Sequence, residues 1–138
     1  MTEENVQQLQ AGYDALARGD WDSALAPFHA DILVEDHDLS PDGPGIDHGL
    51  DGFMRTFSSV NEGFDEVRYT PERFDEVGDR VLVEVRRTGR GSVSGVRVEE
   101  QQFHVFDFRD GRVSRFRSFL DRRQARDAAG LPVVADAA

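Results

Sequence analysis

The hydrophobic period of this chain changes once, at Gly63, from about 3.6 residues to 2. A chain patterned this way makes helices first and strands afterwards, which argues against a doubly wound parallel sheet, where the two alternate. Upstream, Val6, Leu9, Tyr13 and Leu16 or Ala17 recur at spacings of three and four between Glu3 and Arg18, one apolar stripe on a helix that Gly19 stops. Asp20 offers an N-cap carboxylate to a second, short helix from Trp21 to about Phe28. Residues 32–36, ILVED, read as a short strand. The turn formers Pro41, Gly43, Pro44 and Gly45 then make DLSPDGPGIDHG a loop placed to cover a cavity. Leu50, Phe53, Met54, Phe57 and Val60 form a third helical stripe, closed by Gly63.

Downstream, segments 64–76, 80–90, 96–109 and 112–120 are separated by Gly78-Asp79, the glycine-rich GRGSVSG and Asp110-Gly111, each a hairpin signal. Four strands joined in succession make an antiparallel meander. Residues 121–130 read as one more short helix, ended by Gly130 and Pro132. The fold class is therefore α+β: a cone-shaped, curved antiparallel sheet packed against three N-terminal helices, with a cavity at the wide end. With 138 residues and no internal repeat, the chain reads as one domain, 1–138, with an ordered core to about residue 130 and a tail over 131–138.

Composition excludes several functions. There are 27 acidic and 16 basic residues, all of the latter arginine, for a net charge of -11. So acidic a chain repels nucleic acid and anionic membranes. The absence of cysteine removes disulfides, thiolate metal sites and cysteine nucleophiles. The opening MTEENVQQLQ is polar, and no apolar run approaches the roughly 18 residues that span a bilayer. The expectation is a soluble cytoplasmic protein without nucleic-acid or membrane partners.

Two residues stand out for chemistry. Strand alternation puts Ile32, Val34 and Asp36 on one face, and a carboxylate that continues an apolar face is poorly hydrated, which raises its pKa and suits it to act as a base. The alternative is a strand-end aspartate that caps the loop starting at His37. On strand 96–109, Val98, Glu100, Gln102, His104, Phe106 and Phe108 share a face. His104 is there either as a functional imidazole or as a core histidine bonded to a neighbouring strand. Glu100 and Gln102 make a polar ladder beside it, with Glu100 nearer the exposed hairpin. Tyr13, Trp21, Phe28, Phe53, Phe57, Phe106 and Phe116, with Gln102, are candidates to line a pocket for a flat, hydrophobic small molecule. Aromatics at such spacings serve equally as plain core.

His37 and His48 with Asp36, Asp38 or Asp47 lack H-x-H or H-x-x-x-H spacing, and no metal or cofactor is expected. Gly89-Arg90-Gly91-Ser92 has no following helix to supply an anion site and reads as a turn. Gln101, Phe103, Val105 and Asp107, with Arg115 and Arg117 on the next strand, mix apolar and paired-charge groups on the outer face. They suggest a homodimer through the sheet.

The segment from Tyr13 to Asp22 (YDALARGDWD), Phe28-His29-Ala30-Asp31, Val34-Glu35-Asp36, the DGF of 51–53 and Phe108-Arg109-Asp110-Gly111-Arg112-Val113 together resemble the SnoaL-like branch of the nuclear transport factor 2-like superfamily. The resemblance covers nearly the whole chain and implies the cone fold and, as is common there, a homodimer through the sheet. The superfamily includes ketosteroid isomerase, polyketide cyclases, epoxide hydrolases, dehydratases and members without known activity, so the fold does not name the reaction. The resemblance implies that Asp36 stands where ketosteroid isomerase keeps its general base, and His104 where that enzyme has a protonated aspartate facing the oxyanion. Tyr13 falls one residue from the corresponding tyrosine, which implies a hydroxyl turned by about 100° around its helix. Steroid isomerisation itself is therefore not expected. Two functions follow: a cofactor-independent isomerase, cyclase or hydratase using Asp36 and His104, or a non-catalytic module that binds a hydrophobic ligand or dimerises. Asp36 and His104 facing one cavity within about 8 Å would favour the enzyme, since one small ligand spans that gap.

Overall fold

The structure, a computed structural model, describes residues 2–37 and 45–132. Helix α1 (Thr2–Ala17) and α2 (Trp21–Leu25) precede strands β1 (Phe28–Asp36) and β2 (Gly45–His48). Helix α3 (Gly49–Val60), strands β3 (Phe64–Val77), β4 (Arg80–Gly91), β5 (Arg97–Arg109) and β6 (Arg112–Phe119), and helix α4 (Arg122–Ala129) follow. Asp20 caps α2 as its spacing suggests, its carboxylate accepting from the Ser23 amide at 3.2 Å. The helix stops short of Phe28, however. Ala26 still holds helical dihedrals, but Pro27 after it has no N–H to continue the ladder, and Phe28 opens β1 instead.

The six strands lie in the order β2-β1-β6-β5-β4-β3. Strands β3 to β6 form the antiparallel meander expected from their turns. At Asp110-Gly111 both residues have positive φ, 54° and 78°, the twist that a tight hairpin between right-handed strands requires. The sheet is not wholly antiparallel. Strand β1 pairs with β6 in parallel, Val34 beside Phe116 and Asp36 beside Ser118. Local period cannot report a pairing between segments so far apart. Strand β2, inside the segment read as loop, pairs with β1 antiparallel, Leu33 beside His48. The rest of that loop, 38–44, and the tail 133–138 lie outside the described residues. Irregular register at Asp65/Arg68, Pro71/Arg73 and Asp107/Phe108 bends the strands, and the sheet curves without closing.

Both faces of the sheet are covered. On the concave side Ile32, Val34, Val81, Val83, Val85, Phe106 and Phe116 pack under α1 to α3 with Leu9 and Tyr13. On the convex side α4 seats Ala125 and Ala129 against Leu82, Phe103, Val105 and Phe119. This corrects the reading of the outer face. Phe103 is 3% and Val105 0% exposed, so the apolar centre expected to meet a second copy is occupied by the chain's own last helix. Arg117, counted with that face, is buried as well and spans Asp107 (3.1 Å) and the Ala128 carbonyl (3.2 Å). Arg80 donates to the same carbonyl at 3.2 Å. Two guanidinium groups thus satisfy the carbonyl end of α4, where cations are favoured.

Helix α4 ends on Gly130, whose φ is 80°, with Leu131 N–H donating to the Arg126 carbonyl at 2.8 Å. Added side-chain atoms at Gly130 would meet only ordinary contacts, none nearer than 3.8 Å. Gly130→Ala should therefore cost only the left-handed backbone strain, about 1–2 kcal/mol, read as a lower urea midpoint at unchanged slope. A variant as stable as wild type would mean that α4 can end without this turn.

Candidate functional site

A cavity opens between the concave sheet and the three N-terminal helices. It offers about 90 Å³ to the centres of water-sized molecules. Helix α1 supplies Leu9, Tyr13 and Leu16; Trp21 and Leu25 come from α2; Phe53, Thr56, Phe57 and Val60 from α3; Gln102, His104 and Phe106 from β5; and Phe116 and Ser118 from β6. Each source is the inward stripe of its element. All eight side chains read from the sequence as a lining face this cavity, together with His104. The aromatic rings interlock edge to face, Trp21 on Phe57 at 4.8 Å, Phe28 on Phe53 at 4.9 Å and Phe53 on Phe116 at 5.3 Å between centroids, the geometry that ring quadrupoles favour.

One wall is polar. Tyr13 Oη lies 2.7 Å from His104 Nδ1, and the two rings stack at an interplanar angle of 11°. The expected one-residue displacement of Tyr13 does not turn its hydroxyl away. The rotation of α1 is set by its own packing against the sheet, not by residue counts from a distant turn. On its other side, His104 Nε2 lies 3.1 Å from Gln102 Oε1, and Gln102 Nε2 donates to Glu100 Oε1 at 2.8 Å. His104 is therefore held from its own strand and from α1, not from a neighbouring strand.

Protonation follows from these partners. Burial pushes the His104 imidazole down to about 3, so the ring is neutral at pH 7 and holds one proton. Glu100 can only accept, which fixes the Gln102 amide with its oxygen toward His104. That oxygen needs a donor, so the ring proton sits on Nε2. Bare Nδ1 then accepts from the Tyr13 hydroxyl. Burial, with Tyr69 nearby, pushes the Tyr13 phenol well above its ordinary value, and Tyr13 keeps its proton.

Glu100 is anchored in turn by Arg87, 5% exposed, at 3.6 Å. Arg87 also donates to Asn61 Oδ1 at 2.9 Å and to the Val60 carbonyl at 3.2 Å, and its guanidinium sits 4.7 Å over the Phe64 ring. Asn61 Nδ2 donates to Tyr69 Oη at 3.0 Å, so α3 is tied to the same polar system.

Asp36 is buried, 3% exposed, on the inward face expected for it. It does not line the cavity. Ser118 stands between, opposite His104 in the antiparallel register and beside Asp36 in the parallel one, and its hydroxyl donates to Asp36 Oδ1 at 3.2 Å. Sequence reasoning missed Ser118 because its position between the two candidates comes from the β1–β6 pairing. Tyr69 was missed too, although it faces in from β3 with the alternation of that strand.

Among the residues weighed for a metal, Asp36, Asp47 and His37 have other partners. Arg55 holds the Asp47 carboxylate with two hydrogen bonds at 2.9 and 2.7 Å, which keeps it down to about 2. His37 stacks on Phe119 at 4.5 Å, and Asp38 lies outside the described residues. Gly89 and Gly91 belong to β4 and its hairpin end. No described helix is long and apolar enough to cross a membrane.

Known proteins sharpen the fold and leave the chemistry open. None of the curated proteins compared matches the chain. Among solved structures, an NTF2-like protein of unknown function from Burkholderia pseudomallei K96243 is 26% identical, with 91% of this chain and 97% of that one aligned at a TM-score of 0.74. A structure assigned as a SnoaL-like polyketide cyclase from Jannaschia sp. CCS1 is 22% identical, over 96% and 95%, at 0.74. TerC, co-crystallised with polyporic acid, is 23% identical, over 92% and 98%, at 0.72. The last two likenesses speak to the fold alone. The model of the SnoaL-like domain matches residues 9–116, which run from the first inward leucine of α1 to the Phe116 wall. The chain belongs to the SnoaL-like domain family.

Proposed function

We propose that this chain is a small-molecule pocket protein that takes a flat, largely apolar ligand edge-on to the Tyr13–His104 wall. The observation that carries the reading is a cavity walled by interlocked aromatic rings with a single neutral polar face. Such a surface favours ring systems, and it excludes charge, because nothing on the wall would solvate an ion. The TerC structure with polyporic acid supports a small organic ligand for this fold.

Cofactor-independent acid–base turnover is the second reading, and the Asp36–Ser118 hydrogen bond favours it. Asp36 would then take a proton through the Ser118 hydroxyl, passing it from ligand to serine oxygen and from serine to carboxylate, not by direct contact. His104 would not steady a developing oxygen charge itself, since both its nitrogens are engaged.

Trp21 is the only tryptophan and lines the cavity, so its fluorescence reports occupancy. Titration with single- and double-ring aromatic compounds should give saturable changes at a 1:1 ratio, and native mass spectrometry of freshly purified protein should find a co-purifying compound of that class. A Trp21 signal indifferent to every such compound would defeat the pocket reading. Asp36→Asn should leave binding intact and abolish any proton transfer; loss of binding instead would remove the second reading.

A further inference from the structure

Resting on the pocket reading above, we infer that Glu100 fixes the direction of the Gln102, His104 and Tyr13 protons, so that the polar wall presents lone pairs and selects ligands that donate a hydrogen bond. The chain of donation runs outward. Tyr13 donates to His104, His104 to Gln102, and Gln102 to the Glu100 carboxylate, which can donate nothing back. The Arg87 guanidinium lies 3.6 Å from that carboxylate, on the same oxygen that accepts from Gln102. On the far side of His104, the Ser118 hydroxyl spends its proton on Asp36. Tyr69 likewise turns its hydroxyl to Asn61 Oδ1 at 3.3 Å. The oxygens of Tyr13 and Ser118 therefore meet a ligand as acceptors. A phenol, enol or amine N–H completes them. A carbonyl or nitrile brings its lone pairs against theirs, and a buried acceptor left without a donor is costly.

Glu100 touches no ligand. It is a positioning residue, acting through Gln102 and His104, and its carboxylate is 39% exposed, so its replacement should leave folding largely intact. Glu100→Ala removes the acceptor, while Arg87 keeps Asn61 Oδ1 and the Val60 carbonyl. The Gln102 amide is then free to turn over, which lets the His104 proton sit on Nδ1 and Tyr13 point its own proton into the cavity.

The test is calorimetric binding of three probes of similar size: phenol, toluene and benzonitrile. For the wild type, phenol should bind about 3- to 10-fold tighter than toluene, the worth of one ordinary hydrogen bond, and benzonitrile no tighter than toluene. In Glu100→Ala the phenol advantage should shrink and benzonitrile should gain, with toluene unchanged. Nitrogen-15 shifts of His104 should report the proton on Nε2 in the wild type and divided between Nε2 and Nδ1 in the variant. If none of the three binds, the pocket reading falls and this inference with it. If all bind but benzonitrile equals or exceeds phenol, or toluene matches phenol, the inference alone is overturned. A preference for phenol that Glu100→Ala leaves untouched would overturn the assignment to Glu100.

Discussion

Stability of the wild type should fall by about 3 kcal/mol between pH 7 and pH 4, and most of that fall should vanish in His104→Asn. The unfolded imidazole titrates near 6.5, and burial holds the folded one at about 3. A folded pKa below the unfolded value means that the unfolded chain binds the extra proton across that window. The contribution is complete above about pH 6.5 and is lost as pH drops toward 3. At pH 4 the protein stands about 2.5 units below the unfolded pKa, and each unit is worth about 1.4 kcal/mol, which gives the figure above. Asp47, held down to about 2 by Arg55 and the His48 amide, is lost only below about pH 4 and does not confuse the comparison. His29, His37 and His48 remain in the variant, so the difference in slope isolates His104. Equal slopes of urea midpoint against pH in the two proteins would show that His104 is accessible to protons in the folded state.

Phe116→Ala should lower stability by about 3–5 kcal/mol. Phe116 is 7% exposed and touches the rings of Phe53, His104 and Phe106 at centroid distances of 5.2–5.3 Å. Its removal opens a void continuous with the cavity that three aromatic neighbours cannot collapse to fill. Because that void is apolar, toluene should bind it and restore part of the lost thermal stability, more as its concentration rises. The size of the loss and the rescue separate a wall residue from simple core: a loss below about 1 kcal/mol, or no response to toluene, would place Phe116 outside the ligand's reach.

What the sequence made legible was whatever repeats locally. The stripes of α1 and α3 name Tyr13, Phe53 and Phe57, and the alternation of β5 names Gln102, His104 and Phe106, because a face is a property of neighbours in sequence. The inward face of Asp36 is legible, but whether it reaches the cavity is not, since its distance from His104 depends on which strand lies between them. That strand is β6, and its parallel pairing with β1 leaves no periodic trace. Strand β2 was hidden in the same way, four residues inside a segment of turn formers that pair only because β1 offers an edge. The helix α4 was visible, but its seat on Phe103 and Val105 was not. An apolar outer strand reads the same whether its own chain or a second copy covers it.

The seam between β1 and β6 also sets an order of events during synthesis. Glu35 and Arg115, joined across it by two hydrogen bonds at 3.1 and 3.0 Å, lie 80 residues apart. At about 5–20 residues per second a ribosome needs roughly 4–16 s to make that span. During this interval α1, α2 and β1 exist with their apolar faces uncovered, and the loop to be closed is long and entropically slow. Tyr13 leaves the ribosome early, but its partner His104 and the Phe116 wall arrive almost last. A nascent chain stopped before residue 112 therefore has helices and no binding site, and it is in that window that a chaperone, or a misfolded neighbour, competes for the surface the finished cavity will keep.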